Sequence, residues 1–202
     1  MTRSALVLAA LLLLVPSVVH AEAARVVAAM RDGTEDITFR HNSLWLAVPE
    51  LDFEEVTFAL TDDDIVVRYD VVNLSHRTRP DEGFSFFFFA RSPGYSRVEV
   101  WVTWLPRYYG EAAGPHYNLL LITTDGRCAT CGGAVPELEG EWNVTDSSIT
   151  YRIPRHHFTG PLTDTWLYSM VFLPTTTNSV TGTVMLGDFI PDHGRGPDVP
   201  TG

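Results

Sequence analysis

From Val56 onward the chain alternates between apolar and polar positions. Val56, Phe58 and Leu60 are separated by Glu55, Thr57 and Ala59, the period of two that marks a strand with one buried face. Three acidic residues, Asp62 to Asp64, interrupt it. Ile65, Val67, Tyr69 and Val71 then alternate with Arg68 and Asp70, so the pair predicts a hairpin of 54–61 and 65–73. Residues 83–90 carry Phe84, Phe86, Phe87, Phe88 and Phe89. Aromatics at both parities predict a central strand buried on two sides, or one with a loop over one face. Residues 97–104 set Val98, Val100, Val102 and Trp104 against Arg97, Glu99, Trp101 and Thr103. Further strands are predicted over 117–123, 148–153, 165–173 and 181–189. No long segment has a period of 3.6. Only 154–158, opened by Pro154, reads as a short helical turn. Short strands separated by turn signals predict an all-β fold, a single antiparallel β-sandwich of jelly-roll or immunoglobulin-like type with one short helical turn.

The first residues follow another pattern. Arg3 precedes a run of Ala, Leu and Val from Ala5 to Val19, broken by Pro16 and Ser17. Small residues then fall at cleavage spacing, in Val19-His20-Ala21 and Ala21-Glu22-Ala23. This is the order of a secretory signal peptide over residues 1–23. The run is too short for a membrane span, which needs roughly 20 apolar residues. The expected product is an exported domain over 24–193, followed by a loose Gly/Pro tail over 194–202. It lies in the periplasm, at the cell surface or in the medium, with no membrane insertion after cleavage.

The 202-residue chain has a net charge of −11 and contains no Lys, all 14 basic residues being Arg. An acidic chain without basic clusters is a poor partner for nucleic acid, whose phosphates require concentrated positive charge. The absence of Lys fits a coding bias toward Arg or an adaptation to salt. Cys128 and Cys131 are the only cysteines and lie between Gly126 and Gly132-Gly133. In an oxidising compartment a local disulfide closing a turn is expected. A zinc site needs four ligands, and a thioredoxin-like role needs the first Cys to open a helix. Asn73 and Asn143 lie in glycosylation sequons.

The order of motifs resembles that of DOMON-like domains, the β-sandwich group that includes family 9 carbohydrate-binding modules. The resemblance rests on the 56–60 and 65–72 strands around the Asp62–Asp64 turn, Val98-Glu99-Val100-Trp101-Val102, and Tyr117 to Ile122. It continues through Ser148 to Arg155 and Gly187-Asp188-Phe189-Ile190-Pro191-Asp192, spanning most of the exported chain. It implies extracytoplasmic binding of a sugar or haem, and no catalysis. Where acidic residues are common in such domains, this chain has Thr103-Trp104-Leu105, which speaks against a calcium site there. Haem-binding members use a Met and a His as axial ligands. Met170, Met185, His116, His156 and His157 are present, but no pair of them matches that pattern.

Three surfaces are candidates for ligand contact. Trp101 shares the polar face of its predicted strand with Glu99 and Arg97, and would offer a ring for stacking with two polar flanks. The alternative is that a second layer or a loop covers it. The 106–116 loop carries Arg107, Tyr108 and Tyr109, residue types enriched at binding hot spots, or else packs as a flap. His156 and His157 with Asp164 could approach a metal ion. Neighbouring side chains on a turn are expected to diverge, which favours a plain polar turn and no metal. No nucleophile elbow or H-E-x-x-H motif is present. Glu137, Glu139 and Glu141 read as solvated charges, and no catalytic residue and no cofactor are assigned. The expected function is that of a non-catalytic ligand-binding module, carbohydrate being the leading ligand. The alternatives are a structural or protein-interaction domain with a cell-surface partner, and a haem- or metal-binding domain.

Overall fold

A computed structural model describes residues 24–32, 39–41, 44–46, 52–74, 83–105, 114–131, 138–174, 182–191 and 194–201. The strands in chain order are β1 (Arg25–Arg31), β2 (Phe39–His41), β3 (Leu44–Leu46), β4 (Phe53–Leu60), β5 (Asp64–Val71) and β6 (Gly83–Ser92). They continue with β7 (Tyr95–Leu105), β8 (Gly114–Thr123), β9 (Gly140–Asn143), β10 (Ser148–Pro154), β11 (Thr163–Pro174) and β12 (Gly182–Ile190). The expected helical turn is a single 3-10 turn, Arg155–His157. The expected signal segment, residues 1–23, lies outside the described residues.

Two five-stranded antiparallel sheets face one another, one ordered β1-β4-β5-β10-β9 and the other β12-β11-β6-β7-β8. We call them the first and second sheets. The alternation read from the sequence decides which side chains meet. Val56, Phe58, Ile65, Val67, Ile149 and Ile153 of the first sheet are fully buried, as are Phe86, Phe88, Val98, Val100, Leu119 and Leu167 of the second. Rings cross the gap, with Phe58 and Phe88 centroids 5.7 Å apart and those of Phe53 and Phe86 5.8 Å apart. Burying each such side chain contributes about 1.5–3 kcal/mol. Inside this apolar layer the hydroxyls of Tyr69 and Tyr151 hydrogen-bond to each other. Burial pushes both phenols above their ordinary pKa, so each stays protonated.

The Asp62–Asp64 turn joins β4 to β5 as predicted, and its backbone has a partner. Arg155 of the 3-10 turn donates from Nη1 to the carbonyls of Thr61 at 2.5 Å and Asp62 at 3.0 Å. Its Nε donates to the Thr201 carbonyl at 2.6 Å. Residues 194–201, expected to be loose, instead run beside β11. Val199 is 0% exposed and exchanges backbone hydrogen bonds with Leu162 at 2.8 and 2.9 Å. Gly196 N donates to Thr165 O at 2.8 Å, and Thr201 Oγ1 donates to Gly160 O at 2.8 Å. The Gly and Pro residues of this stretch disfavour regular structure, but one apolar residue and a few backbone donors suffice to dock it.

Candidate functional site

The outward face of the second sheet departs from the half-buried, half-polar rule. Register sets its layout. Phe189, Tyr168, Phe87, Trp101 and Asn118 follow one another across β12, β11, β6, β7 and β8. Trp166, Phe89, Glu99 and Leu120 form a second row across β11, β6, β7 and β8. Successive rows on one face lie about 6.7 Å apart along the strands. Arg91 and Arg97 share this face one step further along β6 and β7. Six aromatic residues and two arginines therefore cover one sheet surface.

The rings stack across strands. Phe87 and Tyr168 centroids lie 4.5 Å apart at 12°, and those of Phe89 and Trp166 lie 4.3 Å apart at 11°. These separations approach the spacing of neighbouring strands, so each ring stands on the sheet and turns a face to the next strand. Trp101 departs from the stack. Its ring meets Phe87 at 63° and no described residue lies parallel against it. Trp101 is 41% exposed, Trp166 39% and Phe189 42%. Large aromatics are normally buried more fully; these three stand around the half-buried Phe87 and Tyr168 and the buried Phe89, and exposed apolar surface of this kind marks a contact surface.

Of the expected ligand residues, Trp101, Glu99 and Arg97 come together. The indole Nε1–H of Trp101 donates to Glu99 Oε1, which fixes the ring against its own strand. The other carboxylate oxygen forms an ion pair with Arg97 Nε at 3.1 Å. Glu99 is only 6% exposed although it is on the outward face, because Trp101 and Arg97 cover it. Burial, and then the charge of Glu99, raise the pKa of Tyr168 on the same face. Asn118 stands opposite Trp101 on β8. The Arg107, Tyr108 and Tyr109 positions lie outside the described residues. Among the described residues no layer or loop hides Trp101, the alternative weighed from the sequence.

At the Trp166 end the face opens into a cleft of about 350 Å³, lined among others by Phe89, Arg91, Arg97, Asp164, Trp166 and Arg195. Pairing of β11 with β6 shifts register between Thr163 and Trp166. Asp164, within that bulge, has φ +53°, a left-handed conformation that Asp tolerates better than most side chains. Its carboxylate lies 3.5 Å from Arg91 Nη1 and accepts a hydrogen bond from Arg195 Nη1. The docked segment 194–201 thus delivers Arg195 to the cleft.

The chain matches no family model, no curated protein and no solved structure. What the site can do follows from its own residues. A ring array with polar flanks can hold a flat, partly apolar ligand by stacking and orient it by hydrogen bonds.

The other candidates resolve differently. Cys128 and Cys131 form the expected disulfide, with Cα atoms 5.3 Å apart. It follows the 124–126 turn, where Gly126 has φ +82°, and Ala129 N donates back to Leu121 O at 2.8 Å. The rings of His156 and His157 do not diverge as expected. Their centroids are 4.2 Å apart with the ring planes at 42°. Asp164 joins the arginine cleft and not the histidines. Among the described residues no group of three His, Cys, Asp or Glu side chains could hold a metal ion. The Met170 and Met185 side chains lie outside the described residues.

Sequence reasoning missed Phe87, Phe89, Trp166, Tyr168 and Phe189 as one surface. Each carries a local signal, an aromatic at the outward parity of a strand. Their meeting depends on β6 pairing with β11, far away in the chain.

Proposed function

We propose that this protein is a non-catalytic, exported module that binds a saccharide on the outward face of its second sheet. The observation that carries the reading is Trp101: a large ring, two-fifths exposed, tethered by Glu99, with no parallel ring stacked on it among the described residues. A sugar ring offers C–H groups to an indole face and hydroxyls to the flanking Asn118 and Arg97, while Glu99 beneath them holds Trp101 and Arg97 in place. Trp166 lies about 12 Å away across two strand spacings and one row, which suits a chain of linked rings better than a single one. A disulfide and a signal-like leader agree with export.

The test is a titration of the purified protein with neutral and acidic oligosaccharides, read by calorimetry and by thermal shift. A bound sugar at a hundredfold excess over its Kd stabilises the fold by about 2.7 kcal/mol. Trp101→Ala should weaken binding at least tenfold with little change in thermal midpoint. Unfolding of that variant would make Trp101 structural and remove the assignment. Binding of no saccharide would transfer the aromatic face to a protein partner, since Trp, Tyr and Phe are also enriched at protein interfaces.

A further inference from the structure

We propose that the saccharide bound here is acidic, and that Arg91, Arg97 and Arg195 read its carboxylate groups in the cleft beside Trp166. The inference rests on the saccharide reading above and deepens it. Its first support is charge. The chain as a whole carries −11, yet the cleft gathers three guanidinium groups around the carboxylates of Asp164 and Glu99. A local excess of positive charge on a strongly acidic protein selects an anion at close range, where a neutral sugar gains nothing from it.

The second support is geometry. The cleft already contains a carboxylate, that of Asp164, held between Arg91 and Arg195. Guanidinium forks match planar carboxylates, and each of these arginines has N–H groups left over. Arg97 meets Glu99 through Nε, Arg91 meets Asp164 through Nη1 at 3.5 Å, and Arg195 meets it through Nη1. The arginine side chains are more than half exposed, at 66% for Arg91, 53% for Arg97 and 73% for Arg195. Their carboxylate partners are less exposed, at 23% for Asp164 and 7% for Glu99, so the ion pairs hold the arginines in place while the remaining N–H groups stay open to an anion.

The third support is continuity. Trp166 and Phe89 line the cleft and also belong to the stacked array. A chain of sugar rings lying over the aromatic face therefore brings an acid group of one ring to the arginines. Uronate-bearing polysaccharide is the ligand class this describes.

The experiment compares tetragalacturonate with its fully methyl-esterified form, which keeps the rings and removes the charges. Titration calorimetry on the purified protein at low salt should give at least tenfold tighter binding of the acid form. Raising the salt should erase most of that difference, through screening. Arg195→Gln and Arg91→Gln should each weaken the acid form at least fivefold and leave the ester unchanged. Arg91→Gln leaves the 194–201 segment untouched, so it reports on the cleft even if Arg195→Gln loosens that segment. Equal binding of acid and ester, or binding of other neutral oligosaccharides alone, would overturn the acidic reading and leave the saccharide reading standing. Failure of every saccharide in the panel would sink both.

Discussion

The two sheets share the same inward chemistry and have opposite outward faces. The outward side of the first sheet pairs its charges: Arg68 with Asp70 at 2.7 Å, Arg31 with Glu55 at 3.1 Å, and Arg152 with Asp64 at 3.7 Å. The hydrogen bond and charge of Asp70 hold the Arg68 guanidinium above its ordinary pKa. The outward side of the second sheet puts stacked rings where those charges would be. Both faces are compatible with a stable sandwich, because stability is set by the layer between them. A fold tolerates a costly, water-facing aromatic surface only when the inner layer is sufficient without it, and this surplus is what a ligand can use.

The largest effect expected from that comparison lies within a single strand. Phe88→Ala, on the inward face of β6, should destabilise the protein by about 3–5 kcal/mol in chemical denaturation. Phe87→Ala, its outward neighbour, should cost clearly less and should weaken saccharide binding. Equal costs would mean that the outward rings are a second core and not a contact surface. Next comes the buried hydroxyl pair. Tyr69→Phe should cost about 1–3 kcal/mol by leaving the Tyr151 hydroxyl without its partner. The double change to Phe at both positions should recover most of that loss, as denaturation midpoints would show.

A smaller effect separates the two outward faces. Arg68→Ala should change stability by no more than about 0.5 kcal/mol and leave saccharide affinity unaltered. A loss of affinity there would place the ligand on the wrong sheet. The smallest effect concerns pH. Burial, and then the charge of His156, lower the pKa of His157 from its ordinary 6.5. Protons therefore bind the unfolded chain more readily. The contribution of this group is complete above its ordinary pKa and is lost as pH falls through the lowered value. Thermal midpoints should drop modestly over that acidic range, and His157→Gln should flatten the drop.

Much of the sandwich was legible because period-two alternation survives in β4, β5, β7 and β10. Four strands were not read, the three-residue β2 and β3 being too short to show a period, and β1 and β9 each have a reason of their own. β1 presents Ala28 and Ala29 where branched residues would signal a strand. β9 spans only Gly140–Asn143, and its charged neighbours read as loop. At the site, Trp101, Glu99 and Arg97 were found because they share one strand. Trp166 and Arg195 were not, and Asp164 was read only as a possible partner of His156 and His157, because a bulge and a docked tail bring the three together and neither leaves a periodic trace. The tail also differed from its reading, since its composition argued for freedom while Val199 supplied an anchor.

An aromatic face in water has a consequence for the protein as a colloid. Two copies meeting face to face would bury the same rings that a ligand buries. The net charge of −11 opposes that encounter, through a repulsion that decays over about 8 Å at physiological ionic strength. The acidity of the chain thus acts as a dispersant. The arginines of the cleft are the local exception, so an acidic ligand meets attraction there while a second copy of the chain meets repulsion from the rest of the surface.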